Sequence, residues 1–137
     1  MKLVHPDAKP LARHLDSVGY DLFSVDEGVI PPGQRVVIPT GLCMEIPCTM
    51  YGQIQTRSST AARGVITMGG VIDFEYRGEV KVIMANISKQ PFAYTPKKAI
   101  AQMIFLPFCA PQPVEVAELT ESQRGSSGFG SSVFLIM

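Results

Sequence analysis

The sequence predicts an all-β fold, a sandwich, barrel or jelly roll of short strands, with one short helix. Two observations carry the strands. Clusters rich in Val, Ile, Tyr and Phe recur along the chain, and Gly-, Pro- and Asp-containing turns separate them at close intervals. A third observation carries the helix: Ser59-Thr60-Ala61-Ala62-Arg63 has helical character, with Ser58 or Ser59 as the expected N-cap and Gly64 as the stop.

Residues 1–17 hold Pro6, Pro10 and scattered charges without periodicity and read as an irregular lead-in, to which Lys2-Leu3-Val4 can add a short strand. His5 and His14 have no second ligand at metal-binding spacing and are read as surface residues. From Tyr20 to Ile46 apolar clusters alternate with Asp26-Glu27-Gly28, Pro31-Pro32-Gly33 and Pro39-Thr40-Gly41, which are turn signals. Tyr51 to Gln55, Val80 to Ile87, Pro91 to Tyr94 and Ala99 to Leu106 continue the rhythm. Pro107 to Pro113 is extended and leads to an edge strand expected from Val114 to Leu119. Thr120 to Ser132 is rich in Ser and Gly and is expected to be mobile until a ligand orders it. The boundaries expected are a single β-domain over 1–123 and a flexible lid over 124–137, whose apolar end, Val133 to Met137, has no assigned role.

A chain of 137 residues with zero formal net charge and 18% charged residues offers no basic face for nucleic acid and no cationic surface for a membrane. An anionic ligand must therefore be met by local groups. Cys43, Cys48 and Cys109 form no C-x-x-C pair, and no apolar core of signal-peptide length follows Met1, so the protein is expected in a reducing, intracellular setting, cytoplasm or nucleus. The longest apolar run, around Met103 to Ala110, is broken by Pro107 and too short to span a bilayer.

Two stretches carry chemistry. From Gly69 to Lys81, glycines flank a bend that presents Asp73 and Tyr76 between the β-rich segments Val71-Ile72 and Val80 to Ile83, which reads as a hairpin with a carboxylate and an aromatic ring at its tip. Arg57-Ser58 stands directly before the helix, so a guanidinium, hydroxyls and helix-start amides converge as donors suited to phosphate.

These stretches resemble two motifs of the trimeric dUTP pyrophosphatases, the dUTPase family. Val18-Gly19-Tyr20-Asp21-Leu22 is similar to the family's first motif, Arg57-Ser58-Ser59 to the second, and Gly69 to Lys81 to the third. Ile100-Ala101-Gln102 is similar to the fourth and Arg124 to Ser131 to the fifth, all in the family's order.

The resemblance implies a jelly-roll-like homotrimer with active sites shared between subunits. It implies hydrolysis of dUTP to dUMP and pyrophosphate by water attack at the α-phosphorus, which keeps uracil out of DNA and supplies dUMP. Asp73 would activate the water, a role worth about 10²- to 10⁴-fold, and accept a hydrogen bond from the sugar 3′-hydroxyl. Tyr76 would lie under the deoxyribose and exclude a 2′-hydroxyl. Main-chain groups of Val71, Ile72, Asp73 and Lys81, with Gly70 and Thr67, would hold uracil. Arg57, Ser58, Ser59 and Gln102 would contact the phosphates. Arg124 and Ser131 would grip the γ-phosphate while Phe129, followed by Gly130, stacks on the base. Mg²⁺ would be held on the triphosphate by Asp21 through water, since this ion prefers oxygen ligands and keeps several waters.

The chain departs from the family at Lys97-Lys98-Ala99, where Gly-Asp-Arg is common, at Ser59 in place of Gly, and at Glu75 in place of Asp. Two rival readings share the fold: a dCTP deaminase and a catalytically silent interaction module. Asp73 followed by Tyr76, and the Gly-Phe-Gly run 128–130, are the features that favour the pyrophosphatase.

Overall fold

The computed structural model describes residues 1–130. Its strands are β1 (Lys2–Leu3), β2 (Tyr20–Leu22), β3 (Gly28–Ile30), β4 (Arg35–Cys43) and β5 (Met50–Gln55), then β6 (Val65–Met68), β7 (Val71–Ile72), β8 (Val80–Asn86), β9 (Phe92–Tyr94) and β10 (Ala101–Pro107), with one helix, α1 (Ser58–Ala62), between β5 and β6. One four-stranded sheet has the order β1-β4-β8-β6, a second the order β2-β10-β5-β7, and β3 pairs with β9 as a ribbon. Every strand ladder among the described residues is antiparallel, giving a jelly-roll-like all-β architecture, one of the three that the turn rhythm allows.

Burial follows the period of two that a half-covered strand requires. In β8, Val80, Val82 and Met84 point inward and are fully buried, while Lys81 is exposed. They share one core with Ile38 from β4, with Leu22, Ile54 and Met103 from the second sheet, and with Ile30 and Phe92 from the ribbon. Each such side chain contributes roughly 1.5–3 kcal/mol by leaving water. At the inner end of β8, Asn86 is buried but fully used: its amide donates to Ile30 O and Gln90 O, and its Oδ1 accepts from Ser88 N and Oγ.

Four expectations are corrected. Pro39-Thr40-Gly41 is not a turn between strands: β4 runs through it, and Gly41, at φ 67°, only shifts the register to β8. Val71-Ile72 and Val80 to Ile83 are not partners in a hairpin. β7 pairs with β5 in the second sheet and β8 with β4 and β6 in the first, so residues 69–80 cross to the second sheet for two residues and return. Gly69 and Gly70, at φ 61° and 94°, make the outward corner, where Gly70 lies 2.9 Å from Ile54 O measured from a hypothetical Cβ. The helix starts one residue early: Arg57, extended at φ −75° and ψ 146°, is its N-cap without any side-chain bond, which places Ser58 and Ser59 inside the first turn. Gly64, at φ 77°, does stop it. Finally, no strand forms from Val114 to Leu119. Pro111 and Pro113 remove donors just before it, and Val114, Val116 and Leu119 stand exposed with no edge of this chain alongside.

Among the described residues the three cysteines, Cys43, Cys48 and Cys109, are free. No helix among them is long and apolar enough to cross a membrane.

Candidate active site

Asp21 belongs to β2 and Gln102 to β10, and the two stand directly opposite in the ladder, with Gln55 of β5 opposite Gln102 on the other side. Directly opposed residues project to the same face of a sheet. Asp21 and Gln102 therefore come together without help from any loop. Arg57, at the junction of β5 and α1, completes the group: its Nε lies 3.3 Å from Asp21 Oδ1 and its Nη1 donates to Ala99 O at 3.2 Å. Gln102 Nε2 donates to Thr56 O, 3.2 Å away, tying the fourth segment to the second. Asp21, Arg57, Ser58, Ser59 and Gln102 line one cleft of about 340 Å³ with His14, Ser17 and Gly19.

Sequence reasoning missed those last three. Gly19 is buried because Gln102 Oε1 and Cδ occupy the space a Cβ would need, so only glycine lets the glutamine sit where it does. The signal was present in Gly19-Tyr20-Asp21, but the packing partner lies 83 residues away in sequence, at Gln102. His14 enters the wall because Ala12 bridges Asp21 and brings the lead-in against β2.

The crossover forms a second concavity. Val71, Ile72, Asp73, Tyr76 and Lys81 line a groove of about 240 Å³ with Val37, Glu79 and Ile83, at the seam between the sheets. Asp73 is exposed, and its carbonyl accepts from Tyr76 N at 3.1 Å to form the turn. The Tyr76 ring packs over Gly78, which a Cβ would prevent, and its hydroxyl donates to Glu79 O at 2.8 Å. Glu79 is a further residue the sequence did not single out. Its Oε1 accepts from Gly41 N at 2.9 Å and its Oε2 lies 3.8 Å from Lys81 Nζ. Gly41, at φ 67°, is the bulge in β4 where the register to β8 shifts, and its carbonyl accepts from Val4 N. On the other side of the crossover, Tyr51, Phe74, Glu75 and Phe108 join Asp73 and Tyr76 around an apolar hollow of about 560 Å³.

The cleft and the groove share no lining residue. Thr67 lines neither; it is fastened to Thr56, its amide donating to Thr56 Oγ1 at 2.7 Å. Gly70 shapes the corner rather than a wall. Arg124, Phe129 and Gly130 lie on an exposed segment without regular structure: Arg124 Nε donates to Ser127 O at 2.7 Å, and the Phe129 ring is fully exposed at φ 51°. Ser131 lies outside the described residues, as does Val133 to Met137. No group of three or more His, Cys, Asp or Glu side chains that could cage a metal occurs among the described residues.

An antiparallel jelly-roll-like fold with a guanidinium, three hydroxyls, an amide and one carboxylate gathered in a single cleft defines a protein suited to phosphate-bearing ligands. The comparisons make the class particular. Residues 8–133 match the dUTPase family model, and the chain belongs to the dUTPase family. It is 41% identical to a deoxyuridine 5′-triphosphate nucleotidohydrolase of Clostridioides difficile over 91% of this chain and 90% of the relative. It is similar in structure to the dUTPase of Staphylococcus bacteriophage 80alpha solved with dUpNHpp, with a TM-score of 0.85, 26% identity and coverage of 97% and 96%. A variant dUTPase from phage phi11 of S. aureus, in which a structural Mg(II) ion is coordinated, shares the fold at 21% identity and a TM-score of 0.80, over 88% and 97% of the two chains.

Proposed function

We infer that this chain is a dUTP diphosphatase that hydrolyses dUTP to dUMP and pyrophosphate. The observation that carries the reading is the cleft in which Asp21, Arg57, Ser58, Ser59 and Gln102 meet. Arg57 and the hydroxyls meet the phosphate oxygens with charge-assisted and neutral hydrogen bonds, and Gln102, its amide fixed to Thr56, stands in the cleft wall beside them. Asp73 takes a proton from water as the oxygen attacks the α-phosphorus. The bond to the β-phosphate oxygen breaks, and pyrophosphate leaves.

Recognition of the nucleoside belongs to the crossover. β7 is an edge strand, paired with β5 on one side, so main-chain groups of Val71 and Ile72 have a free side on which to meet a pyrimidine edge as a strand would. A donor and acceptor pattern matched to uracil leaves partners unpaired against cytosine, at a cost of about 1–3 kcal/mol per group. Tyr76, anchored by Glu79 O and backed by Gly78, presents a fixed ring to the sugar and leaves no room for a 2′-hydroxyl.

Mg²⁺ fits one way only. Asp21 is the one carboxylate lining the cleft and is already paired with Arg57, so the ion would be held mainly by water and phosphate oxygens, with Asp21 reaching it through water. When bound, the ion neutralises charge on the triphosphate. Residues 1–123 form the catalytic body and 124–137 the lid that brings Arg124, Phe129 and Ser131 to the bound nucleotide.

The separation of cleft and groove supports an oligomer in which one subunit's cleft meets another's crossover, the trimer of the family. Pyrophosphate release from dUTP, with and without Mg²⁺ and against dCTP, dTTP and UTP, tests the reaction; equal turnover of dCTP, or ammonia release from it, defeats the assignment. Mixing inactive Asp73→Asn and Arg57→Ala subunits tests the sharing. Recovered activity is expected, and none would mean that each chain builds its site alone.

A further inference from the structure

Beside the phosphate cleft lies another cavity, of about 480 Å³, between α1, β9 and residues 95–100. Arg57 and Ser59 line both, and the Arg57 guanidinium spans the wall between them, pairing with Asp21 on the cleft side and donating to Ala99 O on the other. The charged residues lining this second cavity are Arg57, Arg63 and Lys98, with no carboxylate. Among the described residues neither Arg63 nor Lys98 forms an ion pair. Arg63, although exposed, lies 4.6 Å above the ring of buried Phe92, a contact that steadies the guanidinium at the cavity wall. Thr60, Tyr94 and Thr95 add hydroxyls. Asp26 is felt by the Tyr94 hydroxyl, whose pKa burial raises first and that carboxylate second, but Asp26 is not part of the lining.

Arg57 has its counter-charge in Asp21, but Arg63 and Lys98 have none among the described residues and lie on the same concavity, so an anion there relieves their mutual repulsion. We propose that this cavity is a second anion site that takes an inorganic polyphosphate oxyanion, pyrophosphate, held by Arg63 and Lys98 and handed over by Arg57. The proposal rests on reading the neighbouring cleft as the phosphate site. It gives the leaving group a place to move that does not obstruct the next substrate: pyrophosphate stays on Arg57 while it exchanges Asp21-side contacts for Arg63 and Lys98.

The same chemistry could be supplied by the terminal phosphates of the bound nucleotide, and the experiment separates the two sources. Inorganic pyrophosphate is titrated calorimetrically into the full-length protein, the Arg63→Ala/Lys98→Ala double variant and the single Lys98→Glu variant, and dUTP turnover is measured on the same samples. The double variant is expected to bind pyrophosphate about fivefold more weakly, with kcat for dUTP unchanged and product inhibition relieved to the same extent. Raising salt should weaken binding by the parent more than by the double variant. A rise in KM for dUTP of similar size would assign the site to the nucleotide's own terminal phosphates and still establish the anion site. Unchanged pyrophosphate affinity and unchanged KM in Lys98→Glu, whose exposed position leaves folding intact, overturn it. Because pyrophosphate binding is read without turnover, a protein that fails to hydrolyse dUTP refutes the enzyme assignment without deciding the anion site.

Discussion

Asp21, Arg57 and Gln102 are held by one another and by two sheet strands, whereas Arg124 hydrogen-bonds within its own segment and Phe129 stands in solvent. One region is fixed by contacts between strands distant in sequence; the other, over residues 124–130, is held by short-range bonds along its own stretch of chain. The difference teaches how the free energy of ligand binding is divided. Little of it is needed to arrange the cleft, whereas on the lid reading proposed above much of it goes to ordering the terminal segment, where fixing each backbone residue costs about 1–2 kcal/mol.

The sharpest test of a prebuilt body is Asp73→Asn, which keeps shape and removes the base: dUTP turnover should fall between about a hundred- and ten-thousandfold, with nucleotide affinity little changed by calorimetry. Near-normal turnover removes Asp73 from the mechanism. Next in size, cutting the chain after Gln123 should lower turnover about a hundredfold through lost alignment while stability to urea stays within about 0.5 kcal/mol of the parent. If the cut unfolds the protein or changes its mass in solution, the segment is structural, and a shorter cut after Ser132 locates the responsible part at the apolar end. Phe129→Ala should reproduce part of that loss, roughly tenfold, as expected for one stacked base, without altering mass or melting. The smallest effect belongs to the cleft: Gly19→Ala should displace Gln102 and raise KM for dUTP about fivefold, the worth of a hydrogen bond, leaving the truncated and full-length proteins equally affected. An effect confined to the full-length enzyme would mean that cleft and terminal segment are not independent.

Much of this was legible in the sequence because it is local. Turn residues and β-branched clusters report strand positions, and each strand from Tyr51 to Leu106 falls within a residue or two of its cluster except β6, Val65–Met68, which the sequence reading did not name. What was not legible depends on partners distant along the chain. The bend from Gly69 to Lys81 announces itself, but nothing in Val71-Ile72 says that it pairs with Gly52 and Gln53 rather than with Val80. Val114 to Leu119 mixes apolar and acidic residues as an edge strand does, yet a strand needs a neighbour and the described residues supply none there. In the candidate site, Asp21, Arg57 and Gln102 stood out by their segments, whereas Gly19 and Glu79 matter through Gln102 and Gly41, contacts that no spacing in the sequence reveals.

Glu79 joins parts of the molecule that are otherwise remote. Its carboxylate receives the Gly41 amide, Gly41 in turn holds Val4 through its carbonyl, and the Glu79 carbonyl receives the Tyr76 hydroxyl. A tension applied at the amino terminus thus reaches the aromatic ring of the crossover through three hydrogen bonds and the backbone of two residues. Loss of the Glu79 carboxylate would therefore loosen the amino-terminal strand and the crossover together, though the two are far apart in the sequence.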